Sequence, residues 1–385
     1  MIRTLIAQTN EVDEPDLAMI DLMAQLELDG SLQSASVGFL FGDLGLLDPD
    51  FLPSLSEILP FDLVGINASI TTGPRQKDDF FLLTLMVLIG DDLEVATGLS
   101  DDLSENDLGC VEELYRRTLA KLEGPARLVL CFGSRPSSAL RPDRVLARLN
   151  GVNGDAPVFG ALGADLNGIA SRGWLLYNGR LHLDRVALVA VGGPVKPRFS
   201  LYHIPENKIL KRKAIVTSCE GNIIKQINGL PALDYLTTLG LVRNRKVEFS
   251  ENIPLIIEDY KVGYWKPVLI TGQIKDYIVC SQDVRVKTTL GIGGLNDSDV
   301  LKNAASLAEE LRWEKFDFCL IHSCQGRHVA LGLDYLGEIE TLRSGLSDML
   351  PYALCYTAGE FCPRASDKPG PANAFHNLAL ICCRF

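Results

Sequence analysis

Three apolar runs in this 385-residue chain end in the same way. Val64-Gly65-Ile66-Asn67-Ala68-Ser69, Val158-Phe159-Gly160-Ala161-Leu162-Gly163-Ala164-Asp165 and Leu354-Cys355-Tyr356-Thr357-Ala358-Gly359-Glu360 each pass from strand-forming residues into small residues and glycine. Such endings let backbone approach something closely. That something is a ligand or a neighbouring strand, the strand being the commoner case. No tandem repeat of about 20 to 50 residues accompanies them, which argues against a solenoid or a propeller.

Around these runs the chain alternates strand-like and helix-like stretches. Residues 36–41, 63–68 and 80–89 read as strands. Residues 108–122 carry Val111, Leu114, Tyr115, Leu119 and Leu122 at helical spacing, closed by Gly124-Pro125, and 128–132 is the next strand. Residues 174–177 and 181–191 flank Asn178-Gly179, a pair suited to the positive φ angles of a tight hairpin. The stretch Gly192-Gly193-Pro194-Val195-Lys196-Pro197 suits a boundary, because proline cannot donate to a sheet. Beyond it, 215–217 and 223–227 flank Glu220-Gly221-Asn222 as a second hairpin, and Pro231 opens a short helix over 232–236. A longer helix starts at Asp297 or Ser298 and carries Leu301, Ala304, Ala305, Leu307, Ala308 and Leu311. Then follow a strand at 316–321, a helix-like stretch at 332–342, a strand at 352–356 and a closing strand at 375–383. The expectation is a mixed α/β (α+β) fold in two domains, residues 1–195 and 196–385, with mixed sheets flanked by helices.

Composition narrows the function. A formal charge of −12 repels a polyanion, and the basic clusters Lys211-Arg212-Lys213 and Arg243-Asn244-Arg245-Lys246 are short, so they read as solvated loops and nucleic acid is not an expected partner. The run at 80–89 is about half the ~20 residues that span a bilayer, so no membrane insertion is expected. Polar Gln8, Thr9 and Asn10 break the first apolar stretch, which predicts no export signal and a cytoplasmic location. Ten cysteines are then expected to be mostly free, buried thiols, and their spacing matches no usual zinc site.

The most distinctive pattern lies in the last quarter: Ser323-Cys324-Gln325-Gly326-Arg327, then Tyr356-Thr357-Ala358-Gly359-Glu360, then Phe375-His376-Asn377. These motifs resemble the C-terminal FIST domain, whose start is matched by Asn228-Gly229-Leu230-Pro231-Ala232-Leu233. The 158–165 segment and Tyr177-Asn178-Gly179-Arg180 resemble the N-terminal FIST domain. Asn67, Thr71-Thr72 and Ala161 depart from the family pattern, which puts an N-domain site in doubt. The resemblance implies a non-enzymatic sensory module for small ligands such as amino acids, with a histidine kinase, cyclase or chemoreceptor acting in trans. Some members of the family bind haem to sense nitric oxide.

The candidate ligand-binding residues are Arg327, Glu360, Ser323, Cys324, Thr357, Gly359, His376 and Asn377. A guanidinium can grip a carboxylate through paired hydrogen bonds, and Glu360 could hold the ammonium of a zwitterion. The alternatives are a salt bridge from Arg327 to Glu360 or Asp334, a solvated turn acid, and a core-filling Cys324. His376 could serve as an axial haem ligand. A further alternative makes Cys324 a nucleophile activated by His322, His328 or His376. No serine-hydrolase elbow, dinucleotide loop, phosphate loop or paired-histidine zinc helix occurs.

Overall fold

A computed structural model of the chain describes residues 2–26, 35–74, 82–103, 108–134, 141–154, 156–164, 173–247, 254–259, 264–346, 350–364 and 373–385. The apolar runs become buried strands, the amphipathic ones pack outside them, and the chain passes three times through one order of elements.

The first pass is β1 (Ile2–Thr9), α1 (Pro15–Leu26), β2 (Ala35–Gly42), α2 (Phe51–Ile58), β3 (Leu63–Asn67), β4 (Thr71–Thr72) and β5 (Leu83–Gly90). The second is β6 (Glu94–Leu99), α3 (Gly109–Leu119), β7 (Leu128–Gly133), α4 (Pro142–Val152), β8 (Val158–Leu162), β9 (Leu175–Tyr177), β10 (Arg180–His182) and β11 (Val186–Gly192). The third opens with β12 (Arg198–Tyr202) and is then interrupted by an insertion. That insertion comprises β13 (Leu210–Glu220), β14 (Ile223–Ile227), β15 (Leu230–Pro231), α5 (Ala232–Thr238), β16 (Val242–Arg243), β17 (Lys246–Val247), β18 (Leu255–Asp259), β19 (Tyr264–Val268), β20 (Ile270–Ile274), β21 (Tyr277–Cys280) and β22 (Thr289–Ile292). The pass resumes with α6 (Asp297–Leu311), β23 (Cys319–Cys324), α7 (Gln325–Leu331), α8 (Gly337–Gly345), β24 (Ala353–Thr357), β25 (Glu360–Pro363), β26 (Asn373–His376) and β27 (Leu380–Arg384).

Each pass lays down four strands in the same spatial order: β1-β5-β2-β3, β6-β11-β7-β8 and β12-β27-β23-β24. In each sheet the last two of these strands run parallel. The next position is filled from another pass: β9 pairs with β3, β25 with β8, and β4 with β24. The three sheets are thus laced in a closed cycle about a pseudo-threefold axis.

The three small-residue endings meet at that axis. Ser69 N–H donates to the Tyr356 carbonyl at 3.2 Å, Ala164 N–H to Asn67 at 2.9 Å, and Ala358 N–H to Leu162 at 2.9 Å. A side chain on Gly65 or Gly160 would place its Cβ 2.0 Å from the carbonyl oxygen of Leu40 or Cys131. The close approach there is to a neighbouring strand.

The inner faces of the sheets share one core, with Phe39 and Ile66 from the first, Leu130 and Phe159 from the second, and Leu320 and Ile381 from the third. Outside, α1 and α2 bury Leu22 and Leu55 against the first sheet, α3 and α4 bury Leu114 and Leu149 against the second, and α6 and α8 bury Leu307 and Leu342 against the third. A fully buried leucine of this kind stabilises by roughly 1.5–3 kcal/mol. The insertion has its own core around Val216, Ile224, Leu236 and Ile278.

The linker at 192–197 falls between the second and third passes, and the second and third sheets draw strands from both sides of it. Two expected strands prove to be pairs. Residues 181–191 split at Asp184 (φ 51°) and 375–383 at Leu378 (φ 54°), because there the chain leaves one sheet for another. The Asn178-Gly179 turn has positive φ at both residues, as expected. Asn296, not Asp297 or Ser298, caps α6, accepting from Asp299 N–H in a reciprocal capping box. A helical turn, α7, precedes the helix expected at 332–342. Asp165, Phe80 and the side chains of Lys211, Arg212 and Lys213 lie outside the described residues. Among the described residues no helix is long and apolar enough to cross a membrane.

Candidate functional site

Strand β23 is buried along its whole length, so its alternating side chains serve two interiors. Ser323 faces the helices of the third sheet. Its hydroxyl donates to Glu338 Oε2 at 2.7 Å, and the Tyr356 hydroxyl reaches the same oxygen at 2.8 Å. Arg327, on the first turn after the strand, donates to Glu338 Oε1 from Nε at 3.1 Å and from Nη2 at 2.6 Å, with Nη2 also 3.4 Å from the Val300 carbonyl. Both ions are fully buried. The salt-bridge partner of Arg327 is therefore Glu338 on α8, which stood on neither side of the Glu360-or-Asp334 alternative. The one hint in the sequence was an acid beside Ile339 and Leu342 on an otherwise apolar helix face.

Glu360 opens β25 just after the chain crosses from the third sheet to the second. Its Oε1 accepts from the Gly359 N–H at 3.0 Å and the Thr357 hydroxyl at 3.4 Å, and the Cys324 thiol is also hydrogen-bonded to the carboxyl. Burial raises its pKa well above the usual carboxylate range, although these bonds and the charge of Arg327 pull the other way. Burial thus favours the protonated form of Glu360. Gly359 is needed for the crossing: its φ is +95°, and a Cβ would lie 2.8 Å from the Phe375 ring.

Ser323, Cys324, Arg327, Thr357, Gly359 and Glu360 therefore form one connected set. His376 stands directly opposite Glu360 in the β25–β26 ladder, with Nε2 3.1 Å from the Cys362 carbonyl. Burial lowers its pKa to about 3, so it is neutral. Asn377 turns away, donating to the Pro267 carbonyl of β19 at 3.2 Å.

The polar atoms of this region with no hydrogen-bond partner among the described residues include Arg327 Nη1 and Glu360 Oε2. These two differ in character: one is a donor on a cation, the other belongs to a carboxyl group. Asn67, one of the departures from the family pattern, donates to Asp43 Oδ1 at 3.2 Å, and its own Oδ1 is likewise unpartnered.

The cysteine-nucleophile arrangement requires an imidazole on the Cys324 thiol. His322 lies in the central core between Phe41, Phe132 and Phe159, with ring centroids 6.0, 6.1 and 5.6 Å away. Neither of its nitrogens has a hydrogen-bond partner among the described residues, and burial lowers its pKa to about 3. His328 packs against Tyr335 and Tyr356, while His376 points Nε2 at Cys362. The thiol's bond is to Glu360 instead.

Haem needs a slot of several hundred Å³ beside its axial ligand, on the scale of roughly 300–1,000 Å³ for cofactor pockets. His322 and His376 are enclosed by protein at 0% and 1% exposure. The cavity of about 460 Å³ near the linker, walled by Pro194, Arg198, Phe316 and Phe385, has no histidine, cysteine or methionine in its wall. These residues as arranged do not fit haem. Among the described residues no His/Cys/Asp/Glu group is placed to hold a metal ion.

Sequence reasoning missed Glu338, the Tyr356 hydroxyl and the axial position of His322. Compared with models of known families, the chain matches the FIST N domain over residues 36–230, just over half its length. No curated protein matches it.

Proposed function

The chain belongs to the FIST family of sensory signal-transduction domains, and from that premise we propose that it is a cytoplasmic sensor that reversibly binds an amino acid or a similar small zwitterion. In this reading residues 1–195 form an N-terminal FIST-like unit and 196–385 a C-terminal FIST-like unit that holds the ligand. The observation that carries the location is the pair of buried, unpartnered atoms Arg327 Nη1 and Glu360 Oε2, close enough for the guanidinium to act on the carboxyl. Buried polar atoms are nearly always satisfied, and leaving one unpaired costs about 1–3 kcal/mol. A ligand carboxylate accepts from Nη1 and a ligand ammonium binds at Glu360.

The sign of the pH effect follows. Burial favours the protonated form of Glu360, and an ammonium beside it favours the charged form, so a proton leaves on binding wherever the unbound carboxyl holds one. Affinity rises with pH until the unbound Glu360 ionises. Because Glu360 begins the strand handed from the third sheet to the second, its occupancy favours one arrangement of that crossing over another. Only such a difference in affinity between two states can transmit a signal. The output acts in trans on a histidine kinase, cyclase or chemoreceptor, and no catalytic step is part of the reading.

A thermal-shift screen of the twenty amino acids tests it. At least one raises the melting temperature, by an amount equivalent to about 2.7 kcal/mol at a hundredfold excess over Kd. The shift disappears in Glu360→Gln and Arg327→Lys, while both variants still melt cooperatively. Absence of any shift, or a shift that survives both substitutions, overturns the reading.

A further inference from the structure

A polar recess of about 140 Å³ opens where α4, the insertion and the β25–β26 edge meet. Its walls include Asp143 and Asn150 of α4, Lys266 and Gln282 of the insertion, and Arg364 and Asn373 at the ends of β25 and β26. Gln282 is 1% exposed, and neither its amide nitrogen nor its amide oxygen has a hydrogen-bond partner among the described residues. Asp143 accepts the Asp283 N–H on Oδ2 at 2.7 Å. Among the described residues its buried Oδ1 has no hydrogen bond and lies 3.6 Å from Arg141 Nη2. The two asparagines are satisfied by each other, with Asn373 Nδ2 3.1 Å from Asn150 Oδ1. One donor and two acceptors therefore face this space without a hydrogen bond, beside a lysine and an arginine.

That pattern is the complement of an ammonium and a carboxylate on one short molecule. An ammonium offers several donors to Asp143 Oδ1 and Gln282 Oε1, while a carboxylate accepts from Gln282 Nε2 and is drawn to both cations. The volume is well under the roughly 300–1,000 Å³ of a drug-sized pocket. It suits a ligand of a few heavy atoms.

We propose that this recess is a binding site for a small amino acid of the size of glycine or alanine, with the ammonium between Asp143 and Gln282 and the carboxylate towards Lys266 and Arg364. The site is separate from the proposed Arg327–Glu360 site and does not depend on it. It borders the seam where Asp283 of the insertion pairs with Arg141 at 2.7 Å and Arg144 at 2.9 Å. A bound ligand therefore fastens the insertion to α4.

The test is titration calorimetry on the full chain carrying Glu360→Gln, which removes the site proposed at Arg327 and Glu360 from the measurement. Glycine or L-alanine binds saturably, acetate and methylammonium bind at least tenfold more weakly, and L-tryptophan does not bind. Adding Gln282→Leu or Asp143→Asn weakens glycine at least tenfold. The conservative Asp143→Asn carries the test alone should Gln282→Leu not melt cooperatively. No saturable glycine or alanine binding means that the recess holds water only and ends the proposal. So does acetate binding as tightly as glycine, or glycine binding unchanged by the substitutions.

Discussion

The first two passes and the third share a backbone but not a chemistry. At one register position the central strands carry Phe41-Gly42, Phe132-Gly133 and His322-Ser323, set opposite Ile66-Asn67, Ala161-Leu162 and Cys355-Tyr356. The three rings Phe41, Phe132 and His322 form a near-equilateral triangle on the axis, with centroids 6.0, 6.0 and 6.1 Å apart. Two copies show that a phenyl ring and a glycine are enough to build this junction. The third carries an imidazole and a hydroxyl instead, and an imidazole with no hydrogen-bond partner in that place costs about 1–3 kcal/mol. Polar chemistry is concentrated in one of three equivalent positions, that of the third pass.

The comparison can be broken at several points. The largest effect falls on the ion cluster unique to the third pass. Arg327→Ala leaves Glu338 buried without its cation and costs about 3–5 kcal/mol in chemical denaturation, whereas Arg327→Met with Glu338→Leu recovers most of that loss. A cost below about 1 kcal/mol would show that the cluster is incidental.

The second effect is a pH slope. His322 and His376 have folded pKa values of about 3, against about 6.5 unfolded. Between these values the unfolded chain binds more protons. Stability is therefore full above the unfolded value and falls as pH drops, by about 1.4 kcal/mol per pH unit for each histidine. His322→Phe, which copies the other two passes, removes one share of the slope. Denaturant melts from pH 7 to pH 4 measure it.

At pH 7 the same variant gains up to about 1–3 kcal/mol from the lost unpaired groups, less any strain of a larger ring. A clear destabilisation would mean that His322 has a partner in solution, and the comparison would fail at its centre. Smallest is Asn296→Ala, which removes the α6 cap for about 1 kcal/mol and leaves ligand binding untouched. It separates folding of the third pass from its chemistry.

Much of this plan is legible in the sequence, and the illegible part has one cause. The three glycine-rich endings announce close backbone approach because bulk is missing there, and Asn178-Gly179 announces its turn. The exchange of strands leaves no local trace, since β9 and β25 read like any hairpin strand. Hence 181–191 and 375–383 each read as one strand, and only Asp184 and Leu378 mark the switch between sheets. In the site, Arg327 and Glu360 stand out as charges at strand ends. Glu338 does not, because an acid on a helix reads as solvated until α6 and Tyr356 are seen to cover it.

The cyclic exchange of strands also sets a timetable for synthesis. β8 is made early, but its neighbour β25 emerges only when Glu360–Pro363 leave the ribosome. Through most of translation the second sheet keeps an open edge, the sort of surface on which two growing chains can pair with each other instead of with themselves. A message truncated before that strand would therefore yield a sticky intermediate rather than a smaller sensor.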